Sequence, residues 1–423
     1  MFKPVKCGLV AMAALSTLTA RADALSSSPL GGSVEALLAF ARQQSPEVIA
    51  LQLEADAARE RAASAGALPD PTARIEWRDV TNEAVGGSAN LLPARVGSTK
   101  YTFLQPLPFW GKRDLKRATA EAEAEAARGR GDAGWNELAA RIKTAYALDH
   151  ALSRQLALSR EVGDLLDQLE AISRSRYANG LAPQQDAIRA RVERTALQAE
   201  LVQLENERHH ARVRINGLLA RPAHAALAEP RSLRPMLASL DHADLSERLR
   251  ARNPQLFAAD AGIRAAERNR DAVYRNRYPD LALGVSPIQT RNRVSEWELM
   301  VELNIPLQQD SRRAQEREAE RMLEAARARR DASANQLLTE LAENVSGYET
   351  ARRLEALTRG ELQQQAQLTF QSALAGYENG KVDFATLLDA QRQIRKAKLD
   401  VIRAQAEQQA RLAEIEKLVG GEI

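Results

Sequence analysis

Cysteine is almost missing: the only one, Cys7, lies ahead of an apolar stretch near the N-terminus. A mature chain lacking it has no disulfide and no thiolate ligand. Aromatic residues are 4% of the chain, and no run beyond residue 24 is apolar for the roughly 20 residues that a membrane-spanning helix needs. A helical membrane bundle is therefore excluded. Charge of one sign is also lacking. The formal charge is +3, and it falls to +1 once Lys3, Lys6, Arg21 and Asp23 are set aside, so nothing points to nucleic acid. No phosphate-binding loop and no nucleophile constellation is present, and no enzymatic activity or cofactor is expected. The five histidines, His150, His209, His210, His224 and His242, have no closed ligand spacing, so no metal site is expected.

The first 24 residues read as a secretory signal. Lys3 and Lys6 open it, Gly8 to Ala20 is uncharged and mostly apolar, and Ala22-Asp23-Ala24 fits a small-x-small cleavage site. The rest is rich in Ala, Glu, Arg, Leu and Gln, the composition of long helices.

The chain contains one pattern twice. Tyr177, Asn179 and Gly180 return as Tyr377, Asn379 and Gly380, and Pro106 returns as Pro306, all at an offset of 200 residues. Asn-Gly ends helices because both residues tolerate left-handed backbone, so each copy reads as the tip of a helical hairpin. A first repeat is expected over 25–235, with a β-hairpin at 72–105, a tip near 177–183 and a non-periodic connector from Pro222 to Pro235. A second is expected over 236–423, with a β-hairpin at 281–306 and a tip near 377–383. Lys112 to Arg176 has no proline and keeps a three-or-four apolar spacing, with Gly129, Gly131 and Gly134 marking a weak point or break.

The strands alternate. Ala73, Ile75 and Trp77 oppose Arg74, Glu76 and Arg78, and Tyr101 and Phe103 oppose Lys100 and Thr102. Trp297, Leu299, Val301, Leu303 and Ile305 oppose Glu298, Met300, Glu302 and Asn304. One apolar and one wet face suit a membrane barrel. Four strands cannot close one alone, so a symmetric oligomer must pool them.

This order of helix, strand hairpin and long helical hairpin, twice over, resembles the TolC-like outer-membrane efflux channel family over nearly the whole mature chain. The Tyr-x-Asn-Gly tips, Pro106 to Arg113, Asn216-Gly217-Leu218-Leu219 and Phe384 to Gln391 carry the resemblance. It implies a mainly α fold with a small β part. In a homotrimer, four strands per chain would join a shared 12-stranded barrel in outer-membrane lipid, above an α-helical tunnel through the periplasm. It also implies two partners, a periplasmic adaptor (membrane fusion protein) and an inner-membrane RND transporter. Phe109-Trp110-Gly111-Lys112-Arg113 is similar to the heavy-metal branch, which makes metal cations the expected cargo; organic compounds are the alternative.

The resemblance places a carboxylate at the tunnel's narrowest point just beyond the second tip, where Asp389 matches. Thr386 stands where many relatives carry a second acid. Asp186 and Asp383 are the other gate candidates, and three-fold symmetry would make each a ring of charge. Tyr177, Asn179, Gly180, Tyr377, Asn379 and Gly380 are the candidates for tip shaping and adaptor docking. Glu298 and Glu302 are the candidates for the barrel lumen. A periplasmic coiled-coil scaffold is the rival from another class, but it leaves the apolar strand faces unexplained.

Overall fold

The computed structural model describes residues 30–82 and 88–423. The expected signal segment lies outside the described residues. The chain runs through α1 (Val34–Gln44), α2 (Pro46–Ala65), β1 (Thr72–Arg78), β2 (Ser98–Leu107), α3 (Lys112–Ala178) and α4 (Gln184–Leu218). It continues through α5 (His242–Arg252), α6 (Pro254–Arg275), β3 (Asp280–Thr290), β4 (Arg293–Asn304), α7 (Gln309–Leu357), a π-turn (Thr358–Leu362), α8 (Gln363–Glu378) and α9 (Phe384–Val419).

The four strands form one antiparallel meander in the order β1-β2-β3-β4, which leaves β1 and β4 as open edges. In register, Val285 sits between Phe103 and Leu299, while Ser286 lies opposite Glu298. Period-2 alternation therefore sorts the sheet into two faces. Trp297 is 70% and Leu299 87% exposed, with Ile75, Phe103, Val301 and Leu303 exposed beside them. The other face holds the Lys100–Glu298 ion pair and a 3.0 Å hydrogen bond from Ser286 to Thr102.

Helix α3 is 67 residues long, about 100 Å at roughly 1.5 Å per residue. It is continuous through the three glycines, against the expected break. Two of them, Gly129 and Gly134, serve packing instead. A Cβ at Gly129 would come within 2.9 Å of Ala258 and Phe257, and one at Gly134 within 2.2 Å of the Leu51 side chain. Lacking side chains, they let α2 and α6 approach the backbone of α3. Above the middle of the chain the helices follow the order α2-α3-α6-α7, as the strands do. Below it α3 packs on α4 and α9, and α9 on α7 and α8, so α4 and α7–α8 are the flanks.

The connector is fixed to the middle of the molecule. Asn216, fully buried, donates to the Ala223 and Ala225 carbonyls at 3.1 and 2.9 Å, which explains why an asparagine ends α4. Ala228 and Arg231 then pair with the Leu30 and Gly32 carbonyls. Buried Lys143 and half-buried Arg234 both reach Glu416, each at 2.8 Å, and so join α3, the connector and α9.

Candidate functional site

Both tips use the same local chemistry. Gly180 and Gly380 have φ of +71° and +70°, the left-handed conformation that a Cβ disfavours. The Leu181 and Lys381 amides each reach back five residues, to the Arg176 and Gly376 carbonyls, at 2.8 Å. Asn179 and Asn379 cap from the side chain, donating to the Ser175 and Ala375 carbonyls at 2.8 and 2.7 Å.

The two tyrosines have different fates. Tyr177 is 47% exposed, while Tyr377 is 2% exposed and packs against Phe384 with ring centroids 5.2 Å apart. The Tyr377 hydroxyl lies 3.1 Å from Ser173 Oγ and 3.3 Å from Asp186 Oδ2. Its single proton goes to the carboxylate, which can only accept, and the serine hydroxyl donates in return. Burial, then the charge of Asp186, pushes the phenol pKa up, so the hydroxyl keeps its proton. Arg176 completes the tie. Its guanidinium sits 5.0 Å above the Tyr377 ring and donates to the Glu378 carbonyl at 2.6 Å and the Leu181 carbonyl at 3.3 Å. Sequence reasoning missed Ser173 and Arg176, because each works with residues just over 200 positions away.

The three gate candidates separate. Asp186 is buried under Tyr377 in the first turn of α4, where its carboxylate accepts the tyrosine hydroxyl. Asp383 is the N-cap of α9, accepting from the Thr386 amide at 3.0 Å and from the Thr386 hydroxyl. Those hydrogen bonds hold its pKa below the usual aspartate value. Asp389, with 67% of its side chain exposed, faces out from α9. Arg392 stands 3.4 Å from it and is held by two bonds to Glu193 of α4, whose pKa those bonds lower. Glu298 and Glu302 lie on the sheet face opposite the exposed apolar row, as their alternation required.

At the junction of sheet and helices, Lys112 is buried and donates to Asp280 at 2.8 Å and to the Tyr278 carbonyl at 2.9 Å. Phe109 stacks on Tyr278 at 4.5 Å and leaves Trp110 exposed. The Phe109-to-Arg113 run is thus a strand-to-helix joint. His224 stacks on His209 at 5.8 Å, but among the described residues no three His, Cys, Asp or Glu side chains converge on a metal position.

The model of the family described as "Outer membrane efflux protein" matches residues 37–221 and 245–421, most of the chain and both repeats. The chain belongs to that family. An outer membrane efflux protein is a channel and not an enzyme, with its strands in the outer membrane and its helical tunnel in the periplasm. Its fold is that of the family's trimeric TolC-like channels, a long helical barrel continued by a β-barrel.

Solved structures agree on the fold. The outer-membrane channel OprN is similar with a TM-score of 0.78 at 21% identity, covering 92% of this chain and 90% of that one. CusC, described for transmembrane channel formation, gives 0.78 at 18% identity over 92% of each chain. VceC, an outer membrane protein from Vibrio cholerae, gives 0.77 at 18%, covering 92% of this chain and 96% of that one. No curated protein matches the chain. Among the described residues no helix is long and apolar enough to cross a membrane.

Proposed function

We propose that three copies of this chain form the passive exit duct of a tripartite efflux system, docked through their tips on a periplasmic adaptor and fed by an inner-membrane RND pump. The cargo is heavy-metal cations. The observation that carries the duct is the exposed apolar sheet face backed by a polar one. From Trp297 to Ile305 it spans about 27 Å along the strand and, at a tilt of about 40°, about 21 Å along the membrane normal, close to the roughly 25 Å of a barrel's apolar band.

The flanks support closure by copies of the same chain. Strands β1 and β4 have free edges, and α4 and α7 carry exposed apolar residues: Ile188, Val192 and Val202 on one, Leu354 and Leu357 on the other. A strand edge and an apolar helix flank both need covering. A rotational copy supplies both, β4 beside β1 and α7 beside α4. Glu298 and Glu302 then face the lumen. The metal reading rests on the Phe109-to-Arg113 resemblance and on the exposed Asp389, which three-fold symmetry would repeat as a ring.

Growth of a deletion strain on graded zinc, cobalt, cadmium, copper and silver, beside dyes and detergents, tests the cargo. Metal sensitivity restored by the gene, with a detergent-extracted trimer, is the expected result. Sensitivity to dyes alone keeps the duct and overturns the metal cargo. The Asp389→Ala channel should lose cation preference in planar bilayers with unchanged trimer stability, and unchanged reversal potentials would remove Asp389 from the pore.

A further inference from the structure

The border between sheet and helices carries more positive charge than its own carboxylates match. Residues 107–117 and 274–281, which lead into α3 and out of α6, contain Lys112, Arg113, Lys116, Arg117, Arg275 and Arg277, against Asp114 and Asp280. Some of this charge is spent locally. Lys112 pairs with Asp280, Arg277 grips Glu316 of α7 at 2.7 and 2.8 Å, and Arg113 donates to the Gly66 carbonyl. Among the described residues, Lys116, Arg117 and Arg275 have no carboxylate within 4.0 Å.

Two of these free cations stand at the foot of the apolar sheet face. The guanidinium of Arg275 lies 5.8 Å from the centre of the Tyr278 ring, which stacks on Phe109, and a Cβ at Gly111 would come within 3.8 Å of it. Lys116 is one turn beyond Lys112 on the same side of α3, close enough that its charge helps to hold the Asp280 pKa down. Both are exposed. Beside them Trp110, Ile305 and Leu307 are exposed too, and Phe109 follows Phe103 and Leu107 at the strand's period of two. A groove of about 620 Å³ opens between Leu115 of α3, Arg275, Tyr274 and Tyr278, and Glu320 of α7. Helices α3 and α6 are the inner pair of the α2-α3-α6-α7 layer, so a copy that closes on the flanks leaves this groove uncovered.

Unpaired cations next to aromatic rings, where an apolar face ends, match the chemistry of a headgroup layer. Arginine offers a phosphodiester two parallel N–H donors, lysine adds a mobile point charge, and amphipathic rings sit at headgroup depth. We propose that this joint is a binding site for an anionic glycerophospholipid of the periplasm-facing leaflet. Arg275 and Lys116 hold its phosphodiester, Tyr278 and Trp110 flank its glycerol, and its acyl chains lie along the apolar sheet face. The proposal rests on the reading of that face as the one that meets lipid. A free phosphate would use the same cations but none of the apolar row.

Native mass spectrometry of the detergent-extracted trimer tests this, with dioleoyl phosphatidylglycerol, dioleoylglycerol and inorganic phosphate as probes. The unmodified trimer should retain phosphatidylglycerol at least about tenfold more tightly than dioleoylglycerol, which has the chains without the phosphodiester, and millimolar phosphate should not displace it. This comparison needs no variant to fold. Arg275→Gln combined with Lys116→Gln should weaken phosphatidylglycerol at least about tenfold while leaving the trimer and the retention of dioleoylglycerol as they were. Arg321→Gln, which removes an exposed cation of α7 already paired with Glu324, should change nothing. Undiminished retention by the double variant, or no preference over dioleoylglycerol, would overturn the site. Displacement by inorganic phosphate would overturn the lipid in favour of a soluble anion. Flotation with phosphatidylcholine liposomes separates this proposal from the reading beneath it. A trimer that floats keeps its apolar face in lipid whatever the headgroup result, and one that does not float overturns both.

Discussion

Leu299→Arg should abolish outer-membrane assembly. Leu299 is the second of the five outward residues from Trp297 to Ile305, inside the apolar band, is 87% exposed in the single chain, and sits beside Val285 of β3. A guanidinium near the bilayer midplane of a barrel costs about 2–4 kcal/mol. Three-fold symmetry applies that cost three times in one assembly, or roughly 6–12 kcal/mol. That is comparable to the whole stability of many folded domains. Fractionation with heat-modifiability gels should show loss of the trimer from the outer membrane. The neighbouring Glu298→Gln, on the other face, should assemble normally, since it loses only its ion pair to Lys100. Normal assembly of Leu299→Arg would mean that this face does not meet lipid.

Tyr377→Phe should open the periplasmic end while leaving the barrel intact. The substitution keeps the ring, its contact with Phe384 and its place under Arg176, and removes one oxygen. Asp186 and Ser173 are then left buried without that partner. An unsatisfied buried acceptor costs about 1–3 kcal/mol, more for a charged one, and opening the tips would rehydrate it. The released arrangement should therefore gain about 5- to 150-fold in relative population per chain. Larger mean conductance in planar bilayers, and faster uptake of bulky antibiotics by cells expressing the variant, are the expected readouts. Asp186→Asn retains an acceptor and should have a smaller effect. Parent-like conductance for Tyr377→Phe would reduce its hydroxyl to a core contact. The variant should not alter trimer melting by more than the loss of one buried hydrogen bond per chain, because the barrel and the α3–α6 packing lie far from the tip.

Much of the architecture was legible because it is periodic. Alternation in 72–78 and 293–304 requires a two-faced sheet, and the three-or-four spacing of 112–178 requires a long helix. The 200-residue offset requires two repeats. These are local properties, set by side-chain direction and turn chemistry along contiguous residues. The tip glycines belong here too, since their positive φ follows from Asn-Gly itself.

What was not legible depends on residues far apart in the chain. Three glycines in α3 resemble a helix break in sequence, but two of them, Gly129 and Gly134, admit the close approach of Phe257, Ala258 and Leu51, which no local pattern announces. Asp186, Asp383 and Asp389 are equivalent as acids near a tip. Only the folded hairpins bury the first under Tyr377, set the second as a cap and leave the third exposed beside Arg392. The same holds for Arg176 and Ser173, which gain a role when the second hairpin lies against the first. The sequence by itself determined the elements, their duplication and the two unlike faces of the sheet, because periodicity and turn residues act over a few positions. The tertiary structure alone decided which of the two tip tyrosines is buried and which of the tip acids stay exposed, because each depends on packing between segments about 200 residues apart.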